Sequence, residues 1–370
     1  MSVSFQIPFT GLQKQYSTLR EEILDATDQV LQSGQLMSGC HTKRFEEWLA
    51  KKNHTRYAVT CHSGTQALEI LALFYKLQNV RKGKTAIVLI PALTYVATAN
   101  AWRKAGWDIH IVDTDYRGLL DFKKIPSDLE WNAICPVGLY GSALAFDFMS
   151  LDRQLCVEDA AQHWLSNNCF RYGSAAISFD PTKNLGNYGN GGAIVTDNFD
   201  LAQFARDWGR NRSTSTVPTQ MFDDSLYSSC STNSRMSEVD CAQLMVKTQY
   251  LDTWQQRRRD IVAYWISRFV DSPVRALIDD TNFSKHCFHK FVIDANNRDI
   301  VQGKLAQAGI ETKVHYKDPI QDLPEYQNCN GPTMVSASAA LSRRCLTLPL
   351  YPELKDSEVE YIATQVLNCV

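Results

Sequence analysis

The chain has 370 residues, 44% of them apolar and 21% charged, with a formal net charge of −2. That length favours two lobes over one core, and the weak charge, with no long Lys/Arg block, excludes a field for holding nucleic acid. No stretch approaches the roughly 20 apolar residues of a membrane span, and Met1 to Thr10 lacks the charged start and apolar run of a signal peptide, so a cytoplasmic protein is expected.

Residues 13–32 predict a helix, with Leu19, Ile23, Leu24, Ala26, Val30 and Leu31 near the helical period and Gly34 as its stop. Thr42 is placed to cap a second helix through Phe45, Trp48 and Leu49. Short apolar strands then alternate with helices: strands at 57–60, 85–90, 108–112, 133–137, 154–157 and 175–179, helices from Gly64 and around 97–104. Several strands are unbroken apolar runs, as expected where both faces of a sheet are covered. This order predicts an α/β fold with a mostly parallel sheet sandwiched by helices.

Beyond residue 245 the pattern changes. A long helical pattern over 242–264 carries Arg257-Arg258-Arg259, read as its wet face. A strand at 289–293 follows, then helices at 298–308 and 357–366. The expected division is a large domain over 1–245 and a smaller α+β domain over 246–370. Residues 211–233, rich in Ser, Thr and Asp, predict a long functional loop.

Eleven cysteines, an odd number scattered without CxxC pairs, predict reduced thiols rather than a disulfide frame. His286-Cys287-Phe288-His289 holds potential metal ligands, but its alternation reads as a strand, and no metal is expected.

The chemistry centres on Lys183, in Ser178-Phe179-Asp180-Pro181-Thr182-Lys183-Asn184-Leu185-Gly186. Val157-Glu158-Asp159-Ala160-Ala161-Gln162-His163 precedes it and Gly189-Asn190-Gly191-Gly192 follows, leading into a strand. A lysine in this setting is a candidate Schiff-base former, and the aldehyde that proteins keep for such a lysine is pyridoxal phosphate. That cofactor needs backbone N–H donors for its phosphate, which Cys61-His62-Ser63-Gly64-Thr65 supplies at a helix start. It also needs an acid at its ring nitrogen. Asp159, projecting from the C-terminal end of an apolar strand, is placed for this. Tyr95 offers an aromatic face.

In order and spacing these residues resemble the DegT/DnrJ/StrS family of sugar aminotransferases, fold-type-I enzymes dependent on pyridoxal phosphate. The resemblance runs from Phe9-Thr10-Gly11-Leu12 through the Ser-Gly-Thr turn and Lys183 to Asn233-Ser234-Arg235-Met236. It ends with His315-Tyr316 and Leu348-Pro349-Leu350-Tyr351-Pro352. It implies that Lys183 carries the cofactor and shuttles a proton, Asp159 pairs with the pyridine nitrogen, and Gln162 approaches the ring hydroxyl. Gly64, Thr65 and Ser178 would hold the phosphate, Tyr95 would stack on the ring, and Asn233 would reach the cofactor of a neighbouring subunit in a homodimer.

The resemblance also implies glutamate as amino donor and a nucleotide-linked keto sugar as acceptor. The expected acceptor is dTDP-4-keto-6-deoxyglucose, the commonest in the family, giving a 4-amino-4,6-dideoxy sugar for a surface polysaccharide; the alternative is C-3 of a 3-keto-6-deoxy sugar, since the phrase around Lys183 looks somewhat like enzymes acting there. Arg210, Arg212, Arg235, His315 and Tyr316 are the candidates for substrate binding, because arginine's fork suits carboxylate and phosphate alike.

Three positions depart from the family pattern: Asn190 where an acid is usual, Ser231 where glycine is common, and Gln321 where histidine is frequent. They bear on the loops around the sugar. Two other classes compete. A nicotinamide-dependent oxidoreductase would need a Gly-x-Gly-x-x-Gly turn after the first strand, which is lacking. A non-catalytic regulator is disfavoured by an intact Lys183 and Asp159.

Overall fold

The computed structural model describes residues 5–81, 86–144, 156–166, 173–211, 231–278, 283–329 and 336–370. The N-terminal part holds helices α1 (Leu12–Ser33), α2 (Cys40–Lys52), α3 (Gly64–Arg81), α4 (Val96–Lys104), α5 (Phe199–Trp208) and α6 (Glu238–Thr248). Among them run strands β1 (Tyr57–Cys61), β2 (Ile87–Pro91), β3 (Asp108–Val112), β4 (Ala133–Ile134), β5 (Val157–Asp159), β6 (Ser174–Ser178) and β7 (Gly192–Thr196).

Two hydrogen-bonded sets, β3-β2-β4 and β5-β6-β7-β1, meet through parallel bridges from Ile134 to Cys156 and from Val137 to Asp159. The result is one sheet in the order β3-β2-β4-β5-β6-β7-β1. All its strands point the same way except β7, which pairs antiparallel with both β6 and β1. In that register Ser178 faces Gly192.

Alternate residues of each strand enter different cores, as a pleated strand requires. Val59, Ala176 and Ile194 face α3 residues Ile70, Leu71 and Phe74 together with Phe204 of α5. Ala58, Ala175, Ile177, Ala193 and Val195 face Phe45 and Leu49 of α2 and Leu244 of α6. The sheet is thereby covered on both sides, which is why its strands are apolar without alternation.

The C-terminal elements are α7 (Leu251–Phe269), β8 (Arg275–Ala276), β9 (Phe291–Asp294), α8 (Arg298–Gln307), α9 (Ser336–Arg344), β10 (Cys345–Leu348) and α10 (Asp356–Cys369), and all but α9 share a separate core. Trp265, Phe291, Ile293, Leu305, Leu346 and Ile362 form its centre, and Ile7 from the other end of the chain joins it. The three strands make an antiparallel sheet, β10-β9-β8.

Several expectations need correction. The pattern over 242–264 is two helices, because α6 packs on α1 and α2 while α7 turns away to the second core. The break at Gln249–Tyr250 has no Gly or Pro to announce it. Thr42 does not cap α2; Gly39 stands at the cap, and Glu238 supplies the acceptor. One Glu238 oxygen takes the Gly39 and Thr42 N–H groups at 2.8 and 2.9 Å, the other the His41 N–H at 2.8 Å.

Residues 286–289 are not a strand. Phe288 takes a left-handed φ of 49° and β9 begins only at Phe291. Nor is Arg258 on a wet face. It is 5% exposed and its Nη1 donates to the Phe288 and Leu350 carbonyls at 3.2 and 2.8 Å. The predicted strand over 154–157 begins outside the described residues, as does most of the loop over 211–233 and, within it, Arg212. The described cysteines are all free thiols. No described helix is long and apolar enough to cross a membrane.

Candidate active site

β6 and β7 run antiparallel, so the chain between them leaves and re-enters at the same end of the sheet, and Lys183 rides on that excursion. The loop is tied at several points. Phe179 N–H donates to Gly191 O and Asn187 N–H to Phe179 O, both at 2.8 Å, and Lys183 N–H closes a turn on Asp180 O at 2.9 Å. Lys247 from α6 donates to Gly186 O at 2.6 Å. Asn184 donates to Gln255 Oε1 and Cys287 O, both at 2.8 Å, tying the loop to α7 and the second lobe.

The Lys183 side chain enters a cavity of about 360 Å³. Burial pushes its amine below the ordinary lysine range, against the pull of Asp180 and Asp159. A neutral amine is the form that acts as nucleophile and base.

Asp159, at the end of β5, lines the same cavity and is 4% exposed. Its Oδ2 accepts from Thr98 Oγ1 at 2.6 Å, and Thr94 Oγ1 stands 2.9 Å from Thr98 Oγ1. With the Thr98 proton given to the carboxylate, Thr94 donates to Thr98. Asp159 Oδ1 takes the Ala161 N–H at 3.2 Å. Beneath it lies a buried pair: His163 Nδ1 accepts from Gly138 N–H at 3.1 Å, which leaves Nε2 to donate to Glu158 at 3.1 Å.

Gln162 is fixed by Tyr140 N–H on its Oε1 at 2.9 Å and by its own Nε2 donating to Tyr316 OH at 3.1 Å. Burial, followed by the Asp159 charge, pushes the Tyr316 hydroxyl up, so it remains protonated at neutral pH. His315 bonds Thr347 Oγ1 through Nδ1 at 2.9 Å, and burial with the nearby Lys290, Lys183 and Lys313 pushes its imidazole down to about 2. Tyr95 closes one wall, its ring 6.0 Å from that of Tyr316.

The remaining wall is the start of α3. Ser63 Oγ caps it by accepting from Gln66 N–H at 3.1 Å, and Gly64, Thr65 and Ser178 face the cavity. The approach is close: a Cβ on Gly64 would sit 2.7 Å from Ser178 Cβ, and one on Gly192 would sit 2.5 Å from Gly64 N. Backbone N–H groups at a helix start, held against a serine with no side chain between, form an anion cradle. An amine, an acid and an anion cradle around one cavity fit the aldehyde, ring nitrogen and phosphate of pyridoxal phosphate.

The structure brings Gly64, Thr65, Tyr95, Asp159, Gln162, Ser178, Lys183, His315 and Tyr316 around this cavity. It puts Asn233, Arg210 and Arg235 elsewhere. Arg210 pairs with Asn233 in an isolated bridge, Arg235 donates to Asn233 Oδ1 at 3.1 Å, and both arginines border a hollow beside α2 and α5.

Three lining or supporting residues escaped the sequence reading. Thr98 is one turn after Thr94, a spacing that hints at a hydroxyl relay. Asn190, noted only as a departure, borders the cavity itself. Lys290 is a lysine interrupting the apolar run into β9, and that interruption is the signal that could have found it.

Comparison with known proteins agrees with this geometry. A relative from Geobacillus stearothermophilus described as a pleiotropic regulatory protein is 30% identical, over 97% of both chains. A dTDP-3-amino-3,4,6-trideoxy-alpha-D-glucose transaminase from Streptomyces venezuelae is 29% identical, over 95% of this chain and 92% of the other. The crystal structure of NtdA from Bacillus subtilis with bound cofactor PMP superposes with a TM-score of 0.84 at 25% identity, covering 100% of this chain and 86% of that one. Residues 17–367 match the profile of the DegT/DnrJ/EryC1/StrS aminotransferase family, and the chain is a member of that family.

Proposed function

We propose that the protein moves an amino group from glutamate to a nucleotide-linked keto sugar, with pyridoxal phosphate as its cofactor. The observation that carries this reading is the placing of Lys183, Asp159 and the start of α3 around one cavity. Bound there, pyridoxal phosphate supplies an electron sink for the carbon that gains or loses nitrogen.

The chain's own groups do the rest. The N–H groups at the start of α3, with Thr65 and Ser178, hold the phosphate. Asp159, backed by Thr98 and Thr94, keeps a proton on the pyridine nitrogen. Gln162, locked by Tyr140 and Tyr316, presents its amide to the ring hydroxyl, and Tyr95 covers one face. The Lys183 amine, which burial biases toward its neutral form, takes a proton from the substrate carbon at Nζ and returns it. His315 stays uncharged beside it, a hydrogen-bonding wall rather than a competing acid.

Asn233 is exposed and outside its own subunit's cavity. That placement supports a homodimer in which Asn233, with Arg210 and Arg235, serves the partner's site. Amination at C-3 is the reading we adopt over C-4, supported by the name of the Streptomyces venezuelae relative. A product of this kind would serve synthesis of a surface polysaccharide.

The regulator reading keeps one support, the name of the Geobacillus relative. One experiment separates the two. The absorption spectrum of the protein with pyridoxal phosphate is recorded before and after glutamate. A visible band that glutamate bleaches, absent in Lys183→Ala, is the result expected of an aminotransferase. A band indifferent to every amino donor is that of a regulator. Keto sugars carrying the ketone at C-3 or C-4 then decide the position by which one restores the band.

A further inference from the structure

Lys290 is a buried lysine that the chemistry above leaves unused. Its side chain is 7% exposed and borders the Lys183 cavity. It also borders a smaller one of about 40 Å³, between Phe9 of the N-terminal segment and Tyr351 of the second lobe. Among the described residues its ammonium makes no hydrogen bond or ion pair. Its one close partner is the face of Phe9, 5.4 Å from nitrogen to ring centroid.

Its surroundings are of the wrong sign to balance it. Lys183, Arg258 and Lys313 are near enough to repel, and of the acids only Asp180 attracts appreciably. Asp180 Oδ1 is already engaged by the N–H and hydroxyl of Thr182 at 3.0 and 2.5 Å. An unpaired ammonium in a buried site is costly, so burial and these cations push the Lys290 amine well below the ordinary lysine range, and an anion arriving beside it would restore the charge. The missing partner is therefore an anion that comes and goes.

We propose that Lys290 binds a carboxylate carried by a substrate standing over Lys183. The anion cradle at α3 is assigned to the cofactor, so this second cationic point serves a different acid group. Two substrates could bring it: the dicarboxylate amino donor, or a nucleotide sugar bearing a carboxylate at C-6. The naming of these substrates rests on the aminotransferase reading; the binding of a carboxylate does not.

The test is calorimetric titration of the cofactor-loaded protein and of Lys290→Met with ligands that cannot transaminate: glutarate, UDP-glucuronate and UDP-glucose. If the donor is the source, Lys290→Met weakens glutarate about ten- to a hundredfold, the worth of a charged hydrogen bond. If the sugar is the source, wild type prefers UDP-glucuronate to UDP-glucose and the variant loses that preference by a similar factor. Lys290→Arg keeps most of the affinity in either case. Equal binding by wild type and Lys290→Met, or no carboxylate binding by wild type, overturns the proposal.

Stability gives an independent readout. Removing an unpaired buried amine leaves Tm of the ligand-free protein unchanged or higher, whereas a lower Tm in both Lys290→Met and Lys290→Gln would mean a structural role and overturn the proposal. Glutarate binding that depends on Lys290, in a protein whose visible band ignores glutamate, would sink the aminotransferase reading and leave the carboxylate site standing.

Discussion

Thr98 donates its hydroxyl proton to Asp159 Oδ2 across 2.6 Å, with Thr94 behind it at 2.9 Å. The carboxylate is thus oriented by a hydroxyl relay at the wall of the cavity it lines. Asp159→Asn replaces the carboxylate with an amide and should cut the glutamate half-reaction by about a hundredfold or more. Thr98→Val removes the orienting hydrogen bond together with Thr94's acceptor but leaves the carboxylate, so a fall of about tenfold is expected. Both variants should keep the wild-type Tm within a few degrees. Stopped-flow decay of the visible band checks the pair, and an Asp159→Asn rate equal to wild type would show that another acid serves the ring.

The two glycines of the cradle differ in what a methyl group would meet. On Gly64 it would strike the Ser178 side chain at 2.7 Å; on Gly192 it would strike the backbone of Ser63 and Gly64 at 2.3 to 2.5 Å. Gly64→Ala should therefore fold and lose at least about tenfold in affinity for pyridoxal phosphate, since the cradle is crowded but the sheet is not. Gly192→Ala forces strand and helix start apart and should lower stability by about 1–3 kcal/mol. Equilibrium dialysis and urea unfolding measure the two effects separately.

Acid should unfold this protein early. Burial holds His286 down at about 3 and His315 at about 2, and His289 is pushed well below the ordinary range for the same reason. The folded state binds fewer protons than the unfolded chain between these values and the unfolded value near 6.5, so stability rises with pH through that window. Read downward, stability is fully present above about pH 6.5 and is lost as pH falls, by about 1.4 kcal/mol per unit for each histidine that stays neutral. A Tm that falls steadily from pH 7 to pH 5 in cofactor-free protein is the expected result. A flat profile would mean that these rings protonate in place.

Glu238 fastens the start of α2 to the start of α6 by accepting the N–H groups of Gly39, His41 and Thr42. The Thr42 hydroxyl and these N–H groups hold its carboxyl below the ordinary range, although burial acts the other way. Glu238→Ala strands all three donors and should cost about 2–4 kcal/mol. Urea unfolding measures it, and the bleaching of the visible band by glutamate should be unchanged at low urea.

The large sheet was readable because its strands are short apolar runs between helices, and because both faces are covered. Lys183 and Asp159 were readable because each follows a strand of that sheet. What the sequence hid depends on contacts between distant segments. The break before Leu251 has no helix-stopping residue, and it follows from α6 and α7 packing on different cores. Arg258 read as solvated because two arginines flank it, yet it falls on the stripe of Leu251, Val262, Trp265 and Phe269. Lys290 lies against Phe9 of the N-terminal segment, a contact between positions far apart in the chain. Glu238 looked like an ordinary first-turn acid, and its three N–H partners lie some 200 positions earlier in the chain.

Ser178 and Gly192 face one another on a single rung of the β6–β7 ladder. Whatever lies between them departs and returns at one place, so residues could be gained or lost there without sliding any strand against its neighbour. Descendants of such a chain can revise the surroundings of Lys183, Asn190 included, while inheriting the sheet unaltered. Exchange of residues 179–191 for those of a relative should accordingly carry over sugar preference as a unit. The feature that anchors the lysine is also what leaves its neighbourhood open to change over generations.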